Sequence, residues 1–257
     1  MQYTPENTFE ILRKHILVDG FPVVLDLEKS RGSHLIDAQT GKKYFDFFSF
    51  FASNPLGFNH PKMHDPKFEK TLLKAARIKP VLADMYTPEY AEFTDVLARM
   101  AGKNHFTKYF FIEGGALANE NALKTAFDWK VRKNLARGKG EKGSQVIHFE
   151  QAFHGRSGYT MSLTNTDPNK IMYFPKFKWP RIKNPKLAFP LTEAGKKKVI
   201  DDEKLALQQI EKAFDQNPDD IAAIIIEPIQ SEGGDNHFRG EFLRELRRIC
   251  DEREALL

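Results

Sequence analysis

Residues 109–112 (Tyr-Phe-Phe-Ile) form a short apolar run, Gly114-Gly115-Ala116 follows, and a helical pattern over 121–133 comes next. That junction constrains the fold more than any other stretch of the chain. The run has the length and composition of a buried strand, and Ala122, Leu123, Ala126, Phe127 and Trp129 recur at helical spacing. Small residues where a strand turns into a helix leave the first backbone N–H groups open to an anion, which the helix dipole favours. Taken alone, the glycines serve equally well a tight turn that needs their backbone angles. The run lacks the Gly-Lys-Ser/Thr of a nucleotide phosphate loop and the Gly-x-Gly-x-x-Gly of a dinucleotide turn.

The rest of the chain alternates strand and helix patterns. Residues 33–51 predict a hairpin around Gln39-Thr40-Gly41-Lys42, its second arm running into Tyr44-Phe45-Asp46-Phe47-Phe48. Residues 53–66 carry three prolines and a glycine and read as irregular. Helices are expected over 66–76, 88–100, 202–214 and 240–252, and strands over 145–149 and 221–227. Ile221-Ala222-Ala223-Ile224-Ile225-Ile226 is wholly apolar, as in a parallel strand covered on both faces. The expected fold class is therefore α/β, with a mostly parallel sheet flanked by helices.

Composition narrows the function classes. With 257 residues, 41% hydrophobic and 29% charged, the chain has a soluble globular composition. A net charge of +4 with scattered basic residues argues against a nucleic-acid partner. The most basic stretch, residues 176–198, is interrupted by prolines and reads as an extended surface loop. No segment has the length of a membrane span or a secretory leader, so no membrane partner is expected. A single cysteine, Cys250, excludes an internal disulfide and suits a reducing, cytoplasmic compartment. His60 and His64 are spaced like helical metal ligands, but Pro61 interrupts the helix and no metal site is expected. A Ser-His-Asp hydrolase is not supported, as no Gly-x-Ser-x-Gly elbow occurs.

Three clusters follow expected strand ends, where open α/β sheets place ligands. They are Gly114-Gly115-Ala116, Phe153-His154-Gly155-Arg156-Ser157, and the run from Glu227-Pro228 to Gly233-Gly234. A fourth, residues 53–60, lies behind the aromatic cluster. Together they resemble the class III, pyridoxal-phosphate-dependent aminotransferases of fold type I, over residues 33–257. The runs at 153–160, 174–182 and 227–237 look most like the lysine 6-aminotransferase branch. The 4-aminobutyrate branch shares the run at 227–235, so a 4-aminobutyrate or ornithine aminotransferase is the alternative reading.

The resemblance implies pyridoxal 5'-phosphate as cofactor, with Gly115 and Ala116 at the phosphate and Phe153 stacked on the ring. Arg156 falls at the position that takes the substrate carboxylate far from the reacting amine, and arginine grips a carboxylate with two parallel bonds. Glu232 falls at a switch position. Lysine carries no carboxylate at its reacting carbon and glutamate does, so a mobile glutamate that covers or releases a second arginine admits both. His154 is expected as a hydrogen-bonding neighbour of the site. The substrates implied are L-lysine and 2-oxoglutarate, giving 2-aminoadipate 6-semialdehyde and L-glutamate, in a homodimer when full length. By the same resemblance, residues 1–58 belong to a small domain and 59–257 to part of a large cofactor-binding domain. The Schiff-base lysine, the aspartate at the pyridine nitrogen and the second arginine are expected beyond Leu257. The chain is then an incomplete portion, inactive alone, with residues 255–257 opening a further strand; a non-catalytic ligand-binding protein is the other possibility.

Overall fold

The computed structural model describes residues 2–78, 84–103 and 105–257. They form two compact units, Met1–Lys108 and Tyr109–Leu257.

The N-terminal unit carries helix α1 (Thr8–Arg13) and the antiparallel pair β1 (His34–Ile36) and β2 (Lys43–Phe45), the hairpin expected from the sequence. Asp37 fixes the turn: one carboxylate oxygen accepts from the Gln39 N–H at 3.2 Å, the other from the Thr40 hydroxyl at 2.6 Å. Helices α2 (Pro66–Arg77) and α3 (Pro88–Leu97) each begin with a proline behind a capping side chain, Asp65 and Thr87. That arrangement satisfies N–H groups the helix itself leaves open. The aromatic arm after β2 is exposed within this unit, Phe47 at 95% and Phe51 at 84%.

The C-terminal unit holds α4 (Gly115–Ala136), β3 (Gln145–Phe149), the single turn α5 (Thr160–Leu163), β4 (Arg181–Ile182), α6 (Glu193–Gln216), β5 (Ile221–Ile224), the pair β6 (Ile229–Gln230) and β7 (Asn236–His237), and α7 (Gly240–Arg253). The main sheet runs β4-β3-β5, and both pairings are parallel. Ile147 and Phe149 of β3 pack with Ala206, Ile210 and Phe214 of α6 and with Phe242, Leu246 and Ile249 of α7. On the other face, Val146 packs with Leu123 of α4 and with Trp179. Helices on both faces explain why β5 reads as a continuous apolar run. Cys250 is fully buried at 0% exposure, and burial pushes its thiol up to about 12. No helix among the described residues is long and apolar enough to cross a membrane.

Three expectations need correction. Residues 109–112 form no strand; Phe110 is 72% exposed, and no strand of the described sheets pairs with this segment. Apolar composition suits a strand but cannot supply the ladder that defines one. The basic stretch 176–198 is not all loop. Arg181–Ile182 joins the sheet as β4, where Pro180 serves as a pure acceptor, its carbonyl taking the His148 N–H at 3.0 Å. Helix α6 begins at Glu193 rather than 202, because Thr192 caps it by accepting from the Gly195 N–H at 3.1 Å and Val199 is already in the core. At 255–257, where the opening of a strand is expected, the structure has one isolated parallel bridge between Leu256 and Ala223. Buried Lys130 steadies it by donating to the Glu254 carbonyl at 2.8 Å.

Candidate active site

Helix α4 starts from Gly114, whose φ of 86° lies outside the range most residues adopt, and no side chain caps its first turn. A Cβ added at Gly114 or Gly115 would meet nothing within 4 Å. The first turn of a 22-residue helix is therefore a bare cradle of N–H groups at the positive end of the dipole.

The chain leaving β3 folds over that cradle. Gly155 has φ 119°, and a Cβ there would stand 2.6 Å from the Ala116 Cβ, so only glycine lets the loop approach the helix so closely. Side chains then lock the loop. Asn119 donates to the His154 carbonyl at 2.8 Å, and the Thr164 hydroxyl accepts from the His154 N–H at 2.9 Å while donating to the Gly155 carbonyl at 2.6 Å. Glu120 accepts from the Ser157 hydroxyl at 2.7 Å and from the Thr160 N–H at 3.0 Å. From the end of β5, Glu227 accepts the Phe153 N–H at 2.8 Å. Burial pushes the Glu227 carboxyl up, the Phe153 N–H draws it back down, and the charge of Glu232 adds to the rise.

Gly115, Ala116, Phe153 and Arg156 thus line one open cavity of about 600 Å³. Arg156 is exposed on its wall, and no carboxylate among the described residues pairs with it. His154, in the same wall, is 5% exposed, and burial lowers it to about 4, so it is neutral near pH 7. Its Nε2 has no hydrogen-bond partner among the described residues. His154 thus lines the cavity, and the hydrogen bond expected of its side chain is not formed at Nε2 among the described residues. Glu232 is not in the cavity wall. It stands on the turn after β6, where its Oε1 accepts from Lys170 at 2.5 Å and from the Thr166 hydroxyl at 2.9 Å. The fourth stretch, residues 53–60, belongs to the N-terminal unit.

Sequence reasoning missed the braces: Asn119, Glu120, Thr160, Thr164 and Glu227. Two stood inside quoted runs, Thr160 closing that at 153–160 and Glu227 opening that at 227–237, but nothing in either run showed which backbone they would hold. The cradle, the aromatic beside it and the free guanidinium fit a cofactor that combines a phosphate with a flat ring, together with a carboxylate substrate.

The fold and the cavity define an aminotransferase of class III, and the chain belongs to that family, whose model matches residues 18–257. It is 49% identical to the L-lysine-epsilon aminotransferase of Mycobacterium tuberculosis over 256 residues, covering 99% of this chain and 56% of that protein. A solved structure of lysine aminotransferase from M. tuberculosis superposes with a TM-score of 0.93 at 49% identity, over 99% of this chain and 58% of that one. The 4-aminobutyrate aminotransferase of Kluyveromyces lactis is 30% identical, over 95% of this chain and 55% of that protein. The chain spans about half the length of the curated relatives it matches.

Proposed function

We propose that the full-length protein is an L-lysine 6-aminotransferase, moving the ε-amino group of L-lysine to 2-oxoglutarate with pyridoxal 5'-phosphate as cofactor. One observation carries this reading: a free arginine, Arg156, shares a cavity with a bare helix N-terminus, in a chain far more like lysine-acting relatives than 4-aminobutyrate-acting ones.

When bound, the cofactor supplies an electron sink for the bonds at the reacting carbon. The chain's own residues bind and orient. The N–H groups of Gly115 and Ala116 would hold the phosphate, and Phe153 would stack on the ring, a contact worth roughly 1 kcal/mol. Arg156 takes the distal carboxylate, which both substrates possess: the α-carboxylate of lysine and the γ-carboxylate of 2-oxoglutarate. Holding that end fixes where the reacting end falls. Glu232 distinguishes the half-reactions by covering or releasing a cationic group that only glutamate's α-carboxylate needs. No lysine within 1–257 is assigned the Schiff-base role. We further assign residues 1–58 to a small domain and 59–257 to the large one, and place the protein in the cytoplasm as a homodimer.

Assaying the full-length protein with L-lysine, L-ornithine and 4-aminobutyrate, each with 2-oxoglutarate, tests the assignment. Lysine should have the highest kcat/KM. A clear preference for either of the others would remove the lysine reading and leave the class standing.

A further inference from the structure

The turn that carries Glu232 is rigid in its backbone and loose in its carboxylate. Asn236 Nδ2 donates to the Gly233 carbonyl at 3.0 Å and to the Gln230 and Gln151 side-chain oxygens at 2.9 and 3.2 Å. Asn184 Nδ2 donates to the same two oxygens, at 2.5 Å to Gln230 and 3.1 Å to Gln151. A Cβ on Gly233 would stand 2.0 Å from the Gln151 carbonyl oxygen, so the turn is pressed onto the chain leaving β3. The Glu232 side chain, in contrast, is 31% exposed, and both of its hydrogen bonds fall on Oε1.

Those two bonds come from a prepared place. Lys170 ends the helical turn Pro168–Lys170 and Thr166 stands two residues before it; the start of the turn is capped by Asp167 accepting from the Asn169 N–H at 2.9 Å. Ile171, buried at 8% exposure, anchors its end. Two donors four residues apart on a fixed turn thus meet one carboxylate oxygen from a fixed loop.

We propose that Lys170 and Thr166 are positioning residues that form the withdrawn seat of Glu232, and that the strength of this seat sets the balance between the two substrates. The proposal rests on the reading of Glu232 as the residue that covers and releases a cationic group. A carboxylate leaving one counter-charge needs another, and the fraction of molecules with Glu232 seated is the fraction competent for a substrate with a carboxylate at its reacting end. Weakening the seat lowers that fraction and leaves untouched a ligand that has only the distal carboxylate.

Two unreactive ligands separate these cases in the full-length, cofactor-loaded protein: glutarate, with carboxylates at both ends, and hexanoate, with one. Titration calorimetry on Lys170→Met should show glutarate binding weakened about two- to five-fold, the range for loss of a partly exposed ion pair, with hexanoate unchanged. Lys170→Arg should restore glutarate, and in a Glu232→Gln background Lys170→Met should have no further effect. Unchanged glutarate binding in Lys170→Met would overturn the proposal. So would an equal loss in the Glu232→Gln background, since Lys170 would then act only as a general attraction for anions. If Glu232→Gln leaves the glutarate-to-hexanoate ratio as in the parent protein, the switch reading of Glu232 itself is at fault, and the seat falls with it.

Discussion

The loop at 153–157 follows the parallel strand β3, the turn at 231–234 joins the antiparallel pair β6 and β7, and both are held by side-chain hydrogen bonds. They differ in what is held. In the first, bonds from Asn119, Glu120, Thr164 and Glu227 fix the backbone on either side of Phe153 and Arg156 against the start of α4. In the second, the Asn236 and Gln230 amides fix the backbone, while the working carboxylate is held only at an exposed tip. On the proposed roles, the group that meets both substrates alike is clamped, and the group that changes partner sits on a braced turn with its carboxylate partly exposed.

If both backbones are equally constrained, adding one methyl to either should be costly. Gly155→Ala meets the Ala116 Cβ at 2.6 Å with a φ of 119°, and Gly233→Ala meets a backbone oxygen at 2.0 Å. Each should lower stability by about 3 kcal/mol in urea denaturation, at the upper end for overpacking. A loss below about 1 kcal/mol at one position would show that its backbone yields, and the comparison would fail there.

Acid should act on the clamp through His154. Burial lowers it to about 4 from an ordinary 6.5, so below pH 6.5 the unfolded chain takes up a proton that the folded one refuses. Stability then falls with decreasing pH between about 6.5 and 4, by up to ~1.4 kcal/mol per pH unit from this residue, and levels below that window. His148, lowered to about 3 by burial and by the charge of Arg181, adds a parallel loss. His154→Gln should flatten the acid limb by about half when unfolding is followed across this range; an unaltered slope would mean that His154 is not the group that titrates.

The smallest effect on folding should come from the loose end. Glu232→Ala should alter stability by less than about 0.5 kcal/mol, as for an exposed pair. It should nevertheless separate the half-reactions, slowing the lysine half more than the glutamate half in single-turnover measurements. Equal slowing would make Glu232 a structural residue only.

The sequence displayed the ligand-facing residues better than their supports, for a physical reason. Small residues at a helix start and an apolar strand are dictated by local chemistry, so Gly114–Gly115 and residues 221–224 could be read from their own neighbourhoods, whereas Arg156 was singled out by the resemblance. The braces depend on which chain segments meet. Glu227 lies 74 residues from the Phe153 N–H it holds, and Glu120 lies 37 from Ser157. The strand β4 was hidden for a related reason: two residues among prolines and lysines have no pattern, and only the partner edge of β3 makes them a strand. Residues 109–112 show the converse, a strand-like pattern without a pairing strand among the described sheets.

On the proposed function, Arg156 reads both substrates by the carboxylate each carries away from its reacting end. Arg156→Lys in the full-length protein tests it most directly, with single-turnover rates measured for lysine and, separately, for 2-oxoglutarate. Replacing a two-pronged grip by a point charge should cost roughly 1–3 kcal/mol of transition-state binding, about five- to 150-fold in kcat/KM, for both substrates alike. Unchanged kcat/KM for both would show that the carboxylates are held elsewhere and would contradict the account.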